Sequence, residues 1–276
     1  MSRTGRAFAP GHLTAFFSVH YDDDPRRAGS RGAGVTIADG VTVTVNEGDG
    51  RTLNGVSTEI EAVDRVVAAL DVPAGVTIET DLPLGMGFGV SGAAALATAL
   101  AADHHFNLDR PEDALVELAH IADVEAGTGL GDVIAQAHGG VPVRVEPGVP
   151  PYGCIEPVPG SGRVEYLPLG TLSTPAILSG NTNALTEIGD TCVSALRADP
   201  TLPHLAELGR RFADEAGFLD AELRELLEAV VAVGGDACMG MLGRTVFAFG
   251  DGLSRAGFEP TVTQVSETGA HVIDSE

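Results

Sequence analysis

The sequence predicts an α+β protein built in two parts. Apolar and polar residues alternate in several short stretches, and other stretches place apolar residues at helical spacing; both patterns recur on either side of a proline- and glycine-rich segment. That segment, "PGVPPYGCIEPVPGSG" at residues 147–162, is the best candidate for a boundary. We therefore expect one part over residues 1–150 and a second over residues 151–276. With 44% apolar residues among 276, the chain can bury a sizeable core.

The first part opens with two stretches typical of strands, "GVTIADGVTVTV" at residues 34–45 and "GVTIET" at residues 75–80. The dipeptide Asp39-Gly40 inside the first stretch predicts a hairpin turn. A helix is expected between the two strands, because apolar residues there recur every three or four positions. They are Ile60, Val63, Val66, Val67 and Leu70.

Two further helices are expected after the second strand. One runs from about Gly92 to Asp103, directly after a glycine-rich loop. The next begins with Asp109 as its cap and Pro111 in its first turn, and runs to Gly127. The turn "GTGLGD" then leads into a helix that Asp132 opens, and "GVPVRVEP" predicts another strand.

The second part repeats this mixture. Strands are expected at residues 164–167 and 174–178, and helical structure near residues 187–198 and over residues 202–233. A glycine-rich turn, "CMGMLG" at residues 238–243, precedes the apolar stretch "RTVFAFG".

Charge limits the classes of partner. The chain has 39 acidic residues against 16 basic ones, all arginine, for a formal net charge of −23. Such a surface repels nucleic acid and anionic lipid, so neither is expected as a partner. Acidity without lysine is typical of a cell interior of very high salt, where screening removes the self-repulsion, and a halophilic source is our first explanation. An acidic binding surface is the alternative.

Other simple classes of protein are not indicated. No run approaches the roughly 20 apolar residues that cross a bilayer, and the first residues lack the cleavage site of a signal peptide, so a cytoplasmic location is expected. The cysteines, Cys154, Cys192 and Cys238, lie far apart and predict free thiols. The sequence contains no HExxH motif, so a metal site built on histidines is not predicted.

The stretch "DLPLGMGFGVSGAAALATALAA" at residues 81–102 is suited to holding phosphate. Its glycines let main-chain N–H groups close on an anion, and the helix that follows adds the positive end of its dipole. A Rossmann loop needs an acid on a second strand about 20 residues later, where this chain has the helix entrance "FNLDRPEDAL". A Walker A loop needs a lysine, which the chain lacks. A tight turn whose glycines serve packing alone is the structural alternative.

A third phosphate-binding pattern fits better. "PLGMGFGVSGA" at residues 83–93 resembles the Pro-x-x-x-Gly-Leu-Gly-Ser-Ser-Ala-Ala signature of the GHMP kinases, with departures at Phe88, Val90 and Gly92. "APGHLTAFF", "DPRRAGSRGAG", "AHIADVEAGTGLGDVIAQ" and "CMGMLGRTVFAFG" are similar to the archaeal pantoate kinase family within that superfamily. The resemblance implies a two-part GHMP kinase fold, in which the N-terminal ATP-binding part is like domain 2 of ribosomal protein S5 and the C-terminal part is α+β.

The resemblance also implies an activity: ATP- and magnesium-dependent phosphorylation of the primary hydroxyl of (R)-pantoate, a step of coenzyme A biosynthesis. Dimers are common among such kinases, so a homodimer is a further expectation. A kinase for homoserine, shikimate or an isoprenoid alcohol is the alternative within the same class. A nucleotide-binding sensor without catalysis is the alternative from another class.

The nucleotide side of the site is implied residue by residue. The ATP-binding loop consists of Pro83, Gly85, Gly87, Gly89, Val90, Ser91, Gly92 and Ala93. Ser91 and Asp132 carry the catalytic roles, Ser91 at the metal and phosphates and Asp132 at the acceptor hydroxyl. A second metal ligand is either Asp123 or Glu125, and because these lie about 200° apart on a helix only one can face the site. In the family, the acidic residue on this helix usually follows an alanine, and this favours Asp123, which follows Ala122.

The acceptor side is implied more loosely. Arg144 is the first candidate for the substrate carboxylate, since a guanidinium binds carboxylates through a fork of donors. Ser30, Arg31 and His12 lie in segments that resemble the family's substrate-binding segments. A solvent-facing arginine, a turn serine and a core-edge histidine are the structural alternatives. Gly240 to Gly243 either contact phosphate or substrate through the main chain or form a packed turn.

Overall fold

In the computed structural model, which describes residues 5–171 and 182–273, the strands form two sheets. The larger has eight strands, with β12-β1-β2-β5-β3-β4 in order and with β6 and β7 attached to β2 in turn; the smaller has the order β11-β8-β10-β9. The strands are β1 Gly5–His20, β2 Gly29–Glu47, β3 Arg51–Leu53, β4 Val56–Ser57, β5 Ala74–Glu79, β6 Pro142–Glu146, β7 Cys154–Pro157, β8 Arg163–Thr171, β9 Asp236–Gly240, β10 Gly243–Phe249, β11 Thr261–Gln264 and β12 His271–Val272.

Helices cover both sheets. They are α1 Glu61–Leu70, α2 Val90–Phe106, α3 Glu112–Glu125, α4 Asp132–His138, α5 Asn183–Ala198, α6 Leu202–Glu215, α7 Ala221–Ala232 and α8 Gly252–Arg255. The α+β class and the GHMP kinase fold predicted from the sequence are thereby confirmed for the described residues. None of the helices in these ranges is long and apolar enough to cross a membrane.

The predicted hairpin at Asp39-Gly40 is wrong, because β2 runs through this dipeptide without turning. Gly40 pairs with Pro10 of β1, next to a bulge between Pro10 and Gly11. A Cβ at Gly40 would press against the ring of Phe8, at 2.5 Å from its nearest ring carbon. This glycine therefore serves close packing between two long strands, and it makes no turn.

Helix α2 lies at the centre of the larger part, against β1 and β2 and between α1 and α3. Its residues 92–102 are all buried, which explains why its sequence is rich in alanine and shows no polar face. Helix α1 packs against α2 and α3 and buries Val63, Val66, Val67 and Leu70, as its spacing predicts.

Asp109 does not cap α3, so that prediction is wrong. The helix begins at Glu112 after Pro111, whose φ of −56° suits the residue before a first turn. Asp109 has a φ of 53° and belongs to the turn that leaves α2, too early to reach the first N–H groups of α3. The residue that opens α4 is Asp132, as expected.

The long helical run predicted after residue 202 is divided in two. Helix α6 ends at Glu215, Gly217 takes a φ of 74°, and Asp220 then caps α7 by accepting a hydrogen bond from the Leu223 N–H at 2.9 Å. The strand expected at residues 174–178 lies outside the described residues.

The two halves of the chain are closely interleaved. Part of the proline-rich segment is strand β7, which pairs with β6 in the larger sheet. Strand β12 pairs with β1, and Ile37 of β2 bridges Val265. Gly189 of α5 packs directly on the main chain of Phe17. The division at residue 150 stays a prediction.

Candidate active site

The glycine loop between β5 and α2 has a backbone conformation that favours glycine at three positions. Gly85, Gly87 and Gly89 have φ values of 71°, 87° and 65°, in the left-handed region that a Cβ disfavours. Gly89 is also the N-cap of α2, so the first N–H groups of that helix open at the end of the loop. The predicted helix therefore starts two residues earlier than expected, at Val90, and the loop ends at a helix N-terminus, whose N–H groups and dipole suit an anion.

Phe88, one of the departures from the family signature, holds this loop to the body of the protein. Its side chain is buried and meets the ring of Tyr166 edge-on, with 5.0 Å between ring centroids. Its carbonyl accepts a hydrogen bond from the His12 N–H at 3.0 Å. The ring at this departure from the signature therefore anchors the loop through core packing.

Ser91 stands in the first turn of α2 and is linked to Asp123 through a third side chain. The Ser91 hydroxyl donates to Thr128 Oγ1 at 3.0 Å, and Thr128 Oγ1 donates to Asp123 Oδ1 at 2.6 Å. Asp123 is only 2% exposed. A Cβ at Gly129 would overlap its carboxylate, so the glycine of the "GTGLGD" turn leaves the space that this carboxylate occupies.

Burial raises the pKa of Asp123 to about 7, although hydrogen bonds from Thr128 and Ser91 oppose this shift. A buried carboxylate beside a serine hydroxyl is a fitting donor set for Mg²⁺, which prefers oxygen and stabilises the ionised form. In the described part of the chain, no three His, Cys, Asp or Glu side chains converge on a metal position. Phosphate oxygens would therefore have to complete such a coordination shell.

Glu125, the other candidate for the metal, points elsewhere. It is 46% exposed at the side chain and forms an ion pair with Arg65, at 2.7 Å between Oε2 and Nη1. The structure thus brings Asp123 and not Glu125 to Ser91, as the separation of about 200° on a helix requires.

Asp132 opens α4 and pairs with His12 of β1. His12 Nδ1 donates to Asp132 Oδ1 at 2.7 Å, which fixes the proton of a neutral imidazole on Nδ1. Burial raises the pKa of Asp132, but the hydrogen bond from His12 and the charge of Arg144 outweigh it, so the net shift is downward. Burial also lowers the pKa of His12, which favours neutral imidazole beside carboxylate.

Arg144 lies beside this pair, on β6, and is 3% exposed. It donates to the Ser30 carbonyl through Nε at 3.3 Å and to Ser30 Oγ through Nη2 at 3.2 Å. Its Nη1 is buried without a hydrogen-bond partner among the described residues. A buried guanidinium with one free donor is a ready binding group for a carboxylate from outside the protein.

Arg31 lies apart from the cluster formed by His12, Asp132, Arg144 and Ser30. It donates to Asp190 of α5 at 2.9 Å and to the Val145 carbonyl at 2.8 Å. Ser18 donates to the same Asp190 oxygen at 2.8 Å. Neighbours in a strand point to opposite faces, so Ser30 reaches Arg144 while Arg31 joins a different cluster.

A small cleft connects these polar groups with apolar ones. Its lining residues are Thr14, Phe17, Ser30, Leu130, Gly131, Asp132, Arg144 and Leu242. Gly131 makes the cleft possible, since a Cβ there would lie 2.5 Å from both Arg144 Nε and Ser30 Oγ. The cleft therefore offers a cationic group and a carboxylate within one enclosure.

The C-terminal glycine-rich turn, residues 240–243, packs between strand β1 and the glycine loop. Met241 N–H donates to the Thr14 carbonyl at 2.8 Å, and Thr245 Oγ1 donates to the Met86 carbonyl at 2.7 Å. Gly243 lies so close to Met86 that a Cβ would overlap its main chain. These contacts give the glycines of the turn a packing role against the phosphate-binding loop.

Sequence reasoning missed several residues of this site, namely Thr128 and the cleft-lining residues Thr14, Phe17, Leu130 and Leu242. Thr128 carried a signal, since a hydroxyl in the "GTGLGD" turn lies between two predicted site residues in the chain. Leu242 carried none, because its place in the cleft depends on contacts between segments that are distant in sequence.

Comparison with known proteins identifies the family to which the chain belongs. Residues 57–140 match the family described as the GHMP kinases N terminal domain. The chain is 34% identical to the pantoate kinase of Methanocaldococcus jannaschii, over 87% of this chain and 90% of that protein. It is 36% identical to the pantoate kinase of Thermococcus kodakarensis, over 88% of this chain and 86% of that protein.

A solved structure described as a phosphotransferase related to the CoA biosynthesis pathway superimposes with a TM-score of 0.88 at 29% identity, covering 98% of each chain. The family expectation raised by the glycine loop and its companion segments is confirmed. The chain belongs to the pantoate kinase family of the GHMP kinase superfamily.

Proposed function

We propose that this protein transfers the γ-phosphoryl group of ATP to the primary hydroxyl of (R)-pantoate, giving ADP and (R)-4-phosphopantoate. One observation carries the proposal: an ionised Asp132 and a buried Arg144 with a free donor line one cleft, and Gly89 at the end of the glycine loop lies against the Asp132 side chain. Pantoate bears a carboxylate at one end and a primary hydroxyl at the other, which matches the first two groups. The relatives described as pantoate kinases support the same substrate.

On the acceptor side, Arg144 Nη1 and the Ser30 hydroxyl bind the pantoate carboxylate. Asp132 accepts a hydrogen bond from the primary hydroxyl and orients it. His12 keeps the Asp132 carboxylate in place through its Nδ1–H. Because the pKa of Asp132 lies below its ordinary value, the carboxylate is ionised at neutral pH and available to accept the hydrogen bond of the hydroxyl and, as the transfer proceeds, its proton.

On the nucleotide side, the main-chain N–H groups of residues 85–93 cradle the phosphates at the start of α2. Ser91 and Asp123 are the residues that would hold Mg²⁺ together with phosphate oxygens. When bound, the cation neutralises the charge that builds up on the phosphates. Glu125 takes no part in this arrangement, since it pairs with Arg65 on the surface.

The reaction forms one bond and breaks another. The hydroxyl oxygen of pantoate attacks the γ-phosphorus, and the bond from that phosphorus to the β,γ-bridging oxygen breaks, so that ADP leaves with the electron pair. The hydroxyl proton passes to Asp132. Positioning and electrostatic stabilisation supply most of the acceleration in such transfers, which suits a site of rigid glycine turns and buried charges.

A coupled ADP-release assay tests the proposal. ATP and Mg²⁺ are held constant, and pantoate, pantothenate, homoserine, shikimate and mevalonate are compared as acceptors. We propose that the chain, with its net charge of −23, folds best at high salt, so each acceptor is assayed at molar and at 0.1 M KCl. Turnover with pantoate alone supports the proposal. Turnover with another acceptor makes the protein a different GHMP kinase, and ATP binding without any turnover makes it a sensor.

A further inference from the structure

The acceptor cleft has an apolar side that the phosphoryl transfer itself does not need. Phe17, Leu130 and Leu242 line it together with the polar groups around Arg144. Phe17 is buried, while Leu130 and Leu242 are half-buried, with part of their surface turned to the cleft. An acceptor without apolar carbon atoms would leave this side without contacts.

Leu242 stands out among the three by its backbone. It sits in the turn between β9 and β10 with a φ of 61°, in the left-handed region that a branched side chain rarely adopts. Glycines occur close by, at positions 240 and 243, yet the strained position itself carries leucine. Backbone strain of this kind persists where the surrounding structure enforces it, and it is concentrated at functional sites.

Contacts on two sides hold the turn in this conformation. The N–H of Met241 donates to Thr14 of β1, and Gly243 lies against Met86 in the phosphate-binding loop. The carbonyl of Met241 also approaches Gly87, where a Cβ would come within 2.8 Å. Leu242 is therefore set between the strand that carries His12 and the loop that cradles phosphate, and its side chain reaches the cleft from a fixed position.

We propose that Leu242 is a specificity-determining residue, which selects acceptors that carry methyl groups on the carbon between their carboxylate and hydroxyl ends. The inference rests on the proposed function and adds to it the class of acceptor. Pantoate has two methyl groups on the carbon next to its reacting CH₂OH group. With the carboxylate on Arg144 and the hydroxyl at Asp132, this quaternary carbon lies in the middle of the acceptor, where the apolar side of the cleft can pack on it.

The test compares two acceptors, pantoate and 2,4-dihydroxybutanoate, which has the same carboxylate and hydroxyl groups and lacks both methyls. The wild-type protein and the variants Leu242→Ala, Leu242→Gly and Leu242→Met are assayed with each. Leu242→Ala and Leu242→Gly are expected to lower the ratio of the two kcat/KM values by about tenfold, the low end of what one methylene contributes in an apolar pocket. Leu242→Met keeps an apolar side chain of similar volume, so its ratio is expected to stay within about threefold of the wild-type ratio.

Controls separate specificity from folding. Val231→Ala removes an exposed apolar group from the outer face of α7 and is expected to leave the ratio unchanged. Leu242→Gly relieves the backbone strain, so its thermal midpoint should equal or exceed that of Leu242→Ala.

An unchanged ratio in both truncation variants, with pantoate still phosphorylated, would overturn the role of Leu242 and leave the proposed function standing. Absence of pantoate turnover in the wild-type protein would overturn both.

Discussion

Replacing Arg144 with methionine separates two things that a buried guanidinium can do, which are to stabilise the fold and to bind an anion. Among the described residues, the Arg144 guanidinium makes two hydrogen bonds, of 3.3 Å and 3.2 Å, both to Ser30. At about 1 kcal/mol each, these contribute about 2 kcal/mol to the free energy of unfolding. Removing a guanidinium from water costs several kcal/mol, and burial accordingly lowers its pKa.

The loss of two hydrogen bonds and the relief of desolvation therefore nearly cancel. We expect Arg144→Met to change the free energy of unfolding by no more than about 2 kcal/mol in either direction. Pantoate, in contrast, loses its charged partner in a buried cleft, which costs about 2 to 4 kcal/mol. This corresponds to a fall of roughly 30- to 1,000-fold in kcat/KM for pantoate.

Two measurements check this expectation: urea unfolding at high salt, and steady-state kinetics at saturating ATP with pantoate varied. Arg31→Met serves as the contrast, since Arg31 pairs with Asp190 outside the cleft and should leave the KM for pantoate within about threefold of wild type. If Arg144→Met lowers the free energy of unfolding by more than about 3 kcal/mol and leaves kcat/KM for pantoate unchanged, Arg144 is a structural residue. The acceptor would then bind elsewhere.

Three further substitutions test the remaining roles. Asp132→Asn should lower kcat by roughly 10²- to 10⁴-fold while the urea midpoint shifts little, and kcat near wild type would remove Asp132 from the reaction. Thr128→Val should raise the Mg²⁺ concentration for half-maximal activity about tenfold, because Asp123 loses the hydrogen bond that orients it, whereas Thr128→Ser should not. Burial lowers the pKa of His12 below 6.5, so the unfolded chain binds more protons and this contribution to stability, complete above pH 6.5, is lost as the pH falls. Urea unfolding measured at pH 7.5 and at pH 5.5 should therefore show a larger loss of unfolding free energy for wild type than for His12→Gln, and equal losses would contradict the assignment.

Local patterns predicted the elements that hold the site. The glycine loop, the helix after it and the helix that Asp132 opens all follow from residues close together in the chain. The error at Asp39-Gly40 arose because a glycine required for packing against Phe8 has the same sequence signal as a glycine required for a turn. No local pattern distinguishes the two cases.

Contacts between distant segments account for the rest. The pairing of His12 with Asp132 depends on how β1 lies against α4, and no spacing in the sequence encodes it. Ser30 and Arg31 were both expected at the substrate because their glycine-flanked segment resembles a substrate-binding segment of the family. It is part of strand β2, and the alternation of side chains along a strand sends the two to opposite faces.

The pairing of β12 with β1 has a consequence for the order in which the protein folds. Ala7 pairs with Val272, so β1 is synthesised long before the strand that pairs with its edge. Until then the edge of β1 at Ala7 and Phe8 stays open, in the strand that also supplies His12. Contacts of such long sequence separation slow folding, because the chain loses loop entropy before it gains them. Completion of the larger sheet thus waits for β12, and a nascent chain halted before residue 271 would display an unpaired edge of β1 to its neighbours.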